Sequence, residues 1–367
     1  MLCRSVFEGS TELRVPVVEK LTSRNPVFYN PVMELSRDLS VAACRLLKPE
    51  SYCDALAGSG ARGIRIAKEA GVKEVCLNDL NRQACELMEE NAKINGVNVS
   101  ISNDNCNHYL SDRKFDFVDV DPFGPPVRYL DAAIRAFGKR GFLGVAATDT
   151  SALCGTYPRA CRRKYDATSL RTDYYDEMGL RILLGFIART AVRYEHGMRV
   201  LFSHSTRHYF RAFVELDRGR VFVQPTQDAI VYVQHCFKCL ERTYVKLGAL
   251  KEKCSCGGEL STAGPLWGGT FADAEFCGRL AGELEAGVFK TKKDAVSLVN
   301  MVGNEQAVLK PYFNLHKICE LKGVPSPTME AVFKGLSEAG FNAARTHFEP
   351  VGLRTDADVS VLAKLVV

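Results

Sequence analysis

The spacing of apolar residues changes along this chain, and each change marks a predicted element. Between residues 51 and about 150, short apolar runs alternate with amphipathic stretches of helical period. "SYCDALA" predicts a strand, "GSG" a turn, and "ARGIRIAKEAG" a helix stopped by Gly71. "VKEVCLND" is a second strand, and the helix "RQACELMEENAKIN" after it stops at Gly96. "VSISND" and "FDFVDV" supply strands three and four, "VRYLDAAIRAFGKRG" the next helix, and "FLGVAATDT" strand five. Strands alternating with helices of this length predict βαβ units around a parallel sheet covered on both faces.

The pattern differs on either side of this block. Residues 1–50 read as an N-terminal arm with a helical end. Within it "NPVFYNP" is a rigid aromatic turn between prolines, and "VMELSRDLSVAACRLL" has apolar residues at helical spacing. Residues 174–197 predict a long helix, and "MRVLFSHS" with "RHYFRAFVEL" an antiparallel pair closing the sheet edge. "YPRACRRKY", with Arg159, Arg162, Arg163 and Lys164, reads as a loop leaving strand five. Past residue 220 come a Cys-rich segment and a mostly helical tail. Its end reads helix, Pro-bearing turn, helix, then an extended wing with Arg345 and His347, which is winged-helix grammar. Lys310, Lys317, Lys322 and Lys334 make it basic, and a nucleic-acid contact and a packing module fit it equally. The expected organisation is an arm (1–50), a Rossmann-like domain (51–220) and an α+β C-terminal domain (221–367).

The 367-residue chain is 46% hydrophobic and 25% charged, the profile of a soluble globular protein. No apolar run suits a bilayer span, and the N-terminus lacks the apolar core of a signal peptide. A cytoplasmic protein without a membrane partner is expected, and no segment calls for an obligate protein partner. The net charge of +5 permits a polyanionic partner without demanding one. Of the 14 Cys, those at 44, 53, 76 and 85 sit singly in apolar stretches and read as small buried hydrophobes.

Candidate chemistry gathers where the predicted strands end. "DALAGSGARG" follows a strand and opens a helix, so its glycines let backbone turn tightly against a ligand. The glycines at 58, 60 and 63 are out of register with a dinucleotide fingerprint, and a phosphate loop's Lys and Ser/Thr are absent. Asp79, at the end of strand two, suits ribose hydroxyls, and "NDNCN" (103–107) is placed to reach an adenine. An adenosine ligand without phosphate, such as S-adenosylmethionine, fits as well as a dinucleotide or better. Strand four ends in "DPFG". A carboxylate, a carbonyl and a ring suit methyl transfer to an exocyclic amine. Asp121 and the Pro122 carbonyl would accept the amine's N–H bonds, drawing its lone pair out of conjugation, while Phe123 stacks on the base. An ordinary turn with a core Phe is the plainer alternative.

Cys236, Cys239, Cys254 and Cys256 are spaced C-x2-C-x14-C-x-C. Two close pairs separated by a hairpin predict a closed, structural Zn2+ site, with four reduced thiols as the alternative. His235 is expected to face solvent.

"VFYNPVMELSRDLSV", "DALAGSGARGIRIAKEAG", "LNDLNRQACELMEENAKINGV", "DVDPFG" and "RTHFEPVGLRTDA" together resemble the tRNA guanine-26 N2-dimethyltransferases in their compact archaeal form. The resemblance covers nearly the whole chain. It implies a Rossmann-like class I methyltransferase sheet with a zinc-bearing, winged-helix-like C-terminal domain. It also implies that S-adenosylmethionine meets Arg37, Gly58, Arg62 and Asp79, and that Phe28 and Phe123 sandwich a flipped guanine beside Asp121. The family's usual acid and alanine after strand three are Asn105 and Cys106 here, so either Asp104 or Asn105 meets the adenine amine. The expected function is dimethylation of N2 of guanine-26 in tRNA, without a catalytic metal. The rivals are methylation of another amine, such as adenine N6 or a protein glutamine, and an inactive nucleic-acid-binding protein.

Overall fold

The structure is a computed structural model that describes residues 2–18 and 25–366. Residues 19–24 of the expected arm lie outside the described residues. The arm opens as a β-hairpin, β1 (Cys3–Glu8) against β2 (Thr11–Pro16), which was not among the predicted elements. The signal was present: Thr11, Leu13 and Val15 alternate inward, the period of a half-buried strand. Helix α1 (Glu34–Leu47) follows a 3-10 turn at Pro31–Met33.

The predicted alternation is present. It runs β3 (Ser51–Asp54), α2 (Ala61–Arg65), β4 (Glu74–Asn78), α3 (Arg82–Asn95), β5 (Ser100–Ser102), α4 (Cys106–Ser111), β6 (Phe117–Val120), α5 (Val127–Arg135) and β7 (Arg140–Ala147). After β7 come α6 (Thr150–Leu153), α7 (Pro158–Tyr165), α8 (Tyr175–Arg193), β8 (His196–Thr206) and β9 (Tyr209–Arg218). The basic segment 157–165 is therefore a helix rather than a loop, because Pro158 starts it at the first turn and Cys161 and Tyr165 bury one face. The seven strands are ordered β5-β4-β3-β6-β7-β9-β8. The first five are parallel, and β9 lies antiparallel between β7 and β8, closing the edge as expected.

Beyond the sheet come α9 (Arg220–Asp228) and three antiparallel strands, β10 (Ile230–His235), β11 (Arg242–Val245) and β12 (Ser261–Trp267). Helices α10 (Ala274–Ala286) and α11 (Lys292–Asn304) pack back against α1. The tail is β13 (Phe313–Asn314), α12 (Leu315–Lys322), α13 (Met329–Glu338), β14 (Ala343–Arg345), β15 (Gly352–Thr355) and α14 (Val359–Leu365), with strand order β13-β15-β14. One apolar cluster runs from Leu13 to Tyr312 and joins the sheet to β10, β12, α10 and α11. A second begins at Phe313 and holds the tail together. Among the described residues no helix is long and apolar enough to cross a membrane.

Buried charge ties these parts. Arg354 on β15 is fully buried and reaches Glu177 on α8 at 2.9 Å and Glu305 at 3.2 Å. Burial pushes Glu177 up, but Arg354 and Arg181 outweigh it and bring it down to about 2. The expected wing residue His347 is buried, because its ring fills the same junction: Nε2 accepts from the Ser205 amide at 3.2 Å and Nδ1 faces Glu305. In the sheet, Arg211 on β9 crosses β7 to reach Asp119 on β6, with Nη1 donating to Oδ1 at 2.8 Å. The crossing runs over Gly144, where a Cβ would lie 2.7 Å from Asp119 Oδ2 and 2.8 Å from Arg211 Nη2.

Gly144→Ala is therefore expected to destabilise the protein by about 1–3 kcal/mol, as overpacking does in a tight core. Thermal unfolding by circular dichroism measures this, and an unchanged midpoint would show that the crossing has slack.

Candidate active site

In open α/β sheets, ligands sit beyond the carboxyl ends of the strands where the strand order reverses. Here the reversal lies between β3 and β6. The glycine loop leaves β3 with Gly58 and Gly60 at φ +55° and +75°, conformations that disfavour a side chain. Asp79 fixes the loop: Oδ2 accepts from the Gly58 amide at 2.8 Å and Oδ1 from the Asn81 amide at 2.9 Å.

The aromatic segment 25–30 lies across this loop, so close that a Cβ on Gly58 would be 2.9 Å from the Phe28 carbonyl oxygen. Three side chains hold it. Tyr29 donates to Glu8 Oε1 at 2.6 Å, Arg37 donates to the Asn30 carbonyl at 3.0 Å, and Asn81 donates to the Pro26 carbonyl. Arg37 also grips Glu8 through Nε at 2.7 Å, so its guanidinium is engaged within the protein, beneath the aromatic segment. Phe28 and Phe123 meet edge to face with centroids 5.6 Å apart. They remain 38% and 59% exposed, unusual for aromatic rings, and stand at the mouth of the crevice. A base between them needs parallel rings about 7 Å apart, twice a van der Waals contact, so the pair must open to admit one.

Asp121, two residues before Phe123, is paired with Arg62. Arg62 is buried and donates through Nη1 to Ser40 Oγ at 2.6 Å, while Arg211 donates to the same oxygen at 3.1 Å. A continuous polar chain thus runs Asp119, Arg211, Ser40, Arg62, Asp121. Asp54, at the end of β3, is 2% exposed. Burial raises it to about 7, with the charges of Asp119 and Asp121 adding to the rise and Arg62 opposing it. Tyr209 was missed by the sequence reading. It alternates with Arg211 on one face of β9, and its hydroxyl is buried without a hydrogen-bond partner among the described residues. Burial, with Asp121 adding to it, pushes that hydroxyl up to about 12 against Arg211 and Arg62.

The turn after β5 engages its own side chains. Asp104 accepts from the Asn105 amide at 2.7 Å and meets His108 at 2.6 Å, and the His108 bond chiefly holds its carboxyl below the usual range. Asn105 caps α4 through the Asn107 amide at 3.0 Å. Cys106 is buried beneath, its thiol pushed up to about 12 by burial and then by Asp79.

Cys236, Cys239, Cys254 and Cys256 come together with their sulfurs all within 4.8 Å of one another. The Cys236–Cys256 and Cys239–Cys254 separations are 3.6 and 3.7 Å. A tetrahedron with Zn–S bonds of about 2.3 Å needs sulfurs about 3.8 Å apart, so the donor set fits Zn2+ and leaves no open position. His235 points inward, not to solvent: it is buried between Tyr174 and Phe237, and burial lowers it to about 4.

Sheet order, glycine loop and carboxylate corner define a class I methyltransferase that uses S-adenosylmethionine. The family model of N2,N2-dimethylguanosine tRNA methyltransferases matches residues 9–367. The tRNA (guanine(26)-N(2))-dimethyltransferase of Methanothermobacter thermautotrophicus is 40% identical, with 98% of each chain covered. That of Methanosarcina acetivorans is also 40% identical, over 100% of this chain and 99% of the relative. Trm1 from Pyrococcus horikoshii in complex with S-adenosyl-L-methionine superposes with a TM-score of 0.90 at 34% identity, covering 99% of both chains. This chain belongs to the N2,N2-dimethylguanosine tRNA methyltransferase family.

Two outcomes follow from the site. Elemental analysis of the purified protein should find about one zinc per chain, and Cys236→Ala should lose it and lower the thermal midpoint. Less than half a zinc per chain would remove the metal site. A raised Asp54 means the folded protein binds a proton that the unfolded chain has released, so this residue's contribution falls from about pH 4 to about pH 7. Asp54→Asn should therefore gain stability relative to the parent as pH rises from 5 to 8. A difference in midpoint independent of pH would refute it.

Proposed function

We propose that this chain transfers two methyl groups in succession from S-adenosylmethionine to the exocyclic N2 of guanine-26 in tRNA, at the Asp121–Pro122–Phe123 corner. The observation that carries this reading is a pair of exposed rings, Phe28 and Phe123, the second only two residues from a carboxylate paired with a buried arginine. Buried or isolated aromatics would not need such an arrangement. Two faces of one planar ring do.

The glycine loop at Gly58, Asp79 and the Asp104–Asn105–Cys106 turn would hold the cofactor. Backbone at Gly58 takes the close approach, Asp79 takes ribose hydroxyls on its remaining lone pairs, and the turn takes the adenine. Bound there, S-adenosylmethionine supplies an electrophilic methyl group on a sulfonium. The chain's own residues prepare the acceptor. Phe28 and Phe123 part, stack on the flipped base and fix its plane. Asp121 and the Pro122 carbonyl accept the two N–H bonds of N2, which raises its lone pair out of conjugation. Asp121 then takes the proton that the methylated nitrogen loses. After one transfer a single N–H remains, and Asp121 or the Pro122 carbonyl still orients it for the second.

Arg62 acts on Asp121 by position, since their ion pair fixes where the carboxylate stands. Arg37 serves the same corner at one remove, through its hold on Asn30 and Glu8 beneath Phe28. The second ring argues against a glutamine acceptor, because a glutamine amide offers no extended face to stack. A tRNA substrate fits a cytoplasmic enzyme acting without an obligate protein partner.

Unmodified tRNA transcript incubated with labelled S-adenosylmethionine, digested and resolved into nucleosides, should yield mono- and then dimethylguanosine from position 26. Label on adenosine, or none, would sink the assignment. Asp121→Ala should lower kcat by about 10²–10³-fold with cofactor binding retained, and Asp121→Asn, which keeps an oxygen acceptor, by less.

A further inference from the structure

Most of the tail's basic residues, which its winged-helix grammar offers to nucleic acid, are paired with carboxylates, the exposed Lys322 excepted. Lys310 pairs with Glu241 and Asp358 at 3.0 Å each, Lys317 with Glu320 at 2.7 Å, Lys334 with Glu338 at 3.8 Å, and Arg345 with Glu330 at 2.8 Å. A different set of cations surrounds the active-site corner. Arg128 lies one residue inside α5, just after the Asp121–Pro126 corner. Arg159 and Arg163 lie four residues apart on the exposed face of α7. Arg207 sits at the tip between β8 and β9, where Phe210 pairs with Ala147 at the carboxyl end of β7. All four are exposed, and none has a carboxylate partner among the described residues.

The chain fixes this rim to the corner. The Gly124 amide donates to Thr148 Oγ1 at 2.8 Å, and the Thr148 amide returns a bond to the Gly124 carbonyl at 3.2 Å. The next residue, Asp149, accepts from Tyr165 at 2.6 Å and Lys164 at 3.1 Å, the inner side of α7. Corner and helix therefore keep a set distance. Tyr157, 62% exposed, stands immediately before α7 and offers a ring to an unpaired base. Arg207 adopts φ +56° at this tip, a conformation unusual for a residue other than glycine, asparagine or aspartate.

We propose that Arg128, Arg159, Arg163 and Arg207 form the rim that grips tRNA backbone phosphates on either side of the flipped guanine, and that the winged-helix tail does not carry this contact. Guanidinium groups suit phosphate oxygens, and a rim fixed to the corner presents the nucleotide at a defined height above Asp121. The inference rests on the tRNA methyltransferase reading above.

The test is tRNA binding by the full chain at several KCl concentrations, alongside steady-state methylation. A variant carrying Arg128→Ala, Arg159→Ala, Arg163→Ala and Arg207→Asn keeps a residue that tolerates the positive φ at the tip. It should flatten the slope of log K against log salt by about 3–4, since each phosphate contact contributes about one. KM for tRNA should rise at least about 10-fold, while cofactor affinity and the thermal midpoint stay at parental values. A Lys317→Ala/Lys334→Ala variant should match the parent in slope and KM. An unchanged slope in the arginine variant, or an equal loss in the lysine variant, would overturn the rim. A parent that neither binds nor methylates tRNA would instead overturn the reading on which the rim rests.

Discussion

Two buried arginines hold the carboxyl end of this sheet in register. Arg211 spans β7 to reach Asp119, and Arg62 reaches from α2 to Asp121, with Ser40 on α1 shared between them. Two cations and two carboxylates balance, and burial, with the charges of Asp119 and Asp121 adding to it against Arg62, raises the affinity of Asp54 for a proton. Breaking one partner of such a set strands the other, at a cost of about 3–5 kcal/mol in comparable cases. The Asp121 carboxylate is thus the half-buried end of a structural network, not a side chain placed separately on a loop.

The same device recurs at the far end of the chain. Arg354, Glu177, Glu305 and His347 form a second buried set that joins the tail to α8 and β8. Residues of "RTHFEPVGLRTDA", part of the family resemblance, therefore serve to dock the module. The metal segment lies between the two bodies: Arg242, just past Cys239, reaches Asp173 at 3.1 Å and the Tyr312 carbonyl at 2.7 Å. A closed four-thiolate site there would brace a junction and leave no position open for chemistry.

Much of this was legible in the residues. The strand and helix alternation, the glycine stops at Gly71 and Gly96, the turn at Gly58 and the strand that ends just before Asp121 read correctly, because each rests on local period or on backbone conformations that few residues accept. The four cysteines were legible from spacing alone, and their sulfurs meet at near-tetrahedral separations. The first hairpin was legible too, in the alternation of Thr11, Leu13 and Val15, but it is short and was passed over. Segment 157–165 read as a loop since charge outweighs apolar residues there, and only Cys161 and Tyr165 betray the buried face.

By itself the sequence determined which residues can make strands, turns and ligand loops, since those depend on neighbours a few positions away. Tertiary structure alone decided where the charges go. Arg37 and Asp121 carry nothing local to say that one lies on Glu8 and the other on Arg62. His235 reads as a surface residue and His347 as part of a wing, yet both side chains are buried, because packing from distant segments surrounds them. A buried charge must find its counterpart wherever the fold brings one, and partners tens of residues apart leave no periodicity to read. Phe28 and Phe123 show both sides of this. Their types suggested a stacking pair, while only the folded chain sets them edge to face at the mouth of one crevice.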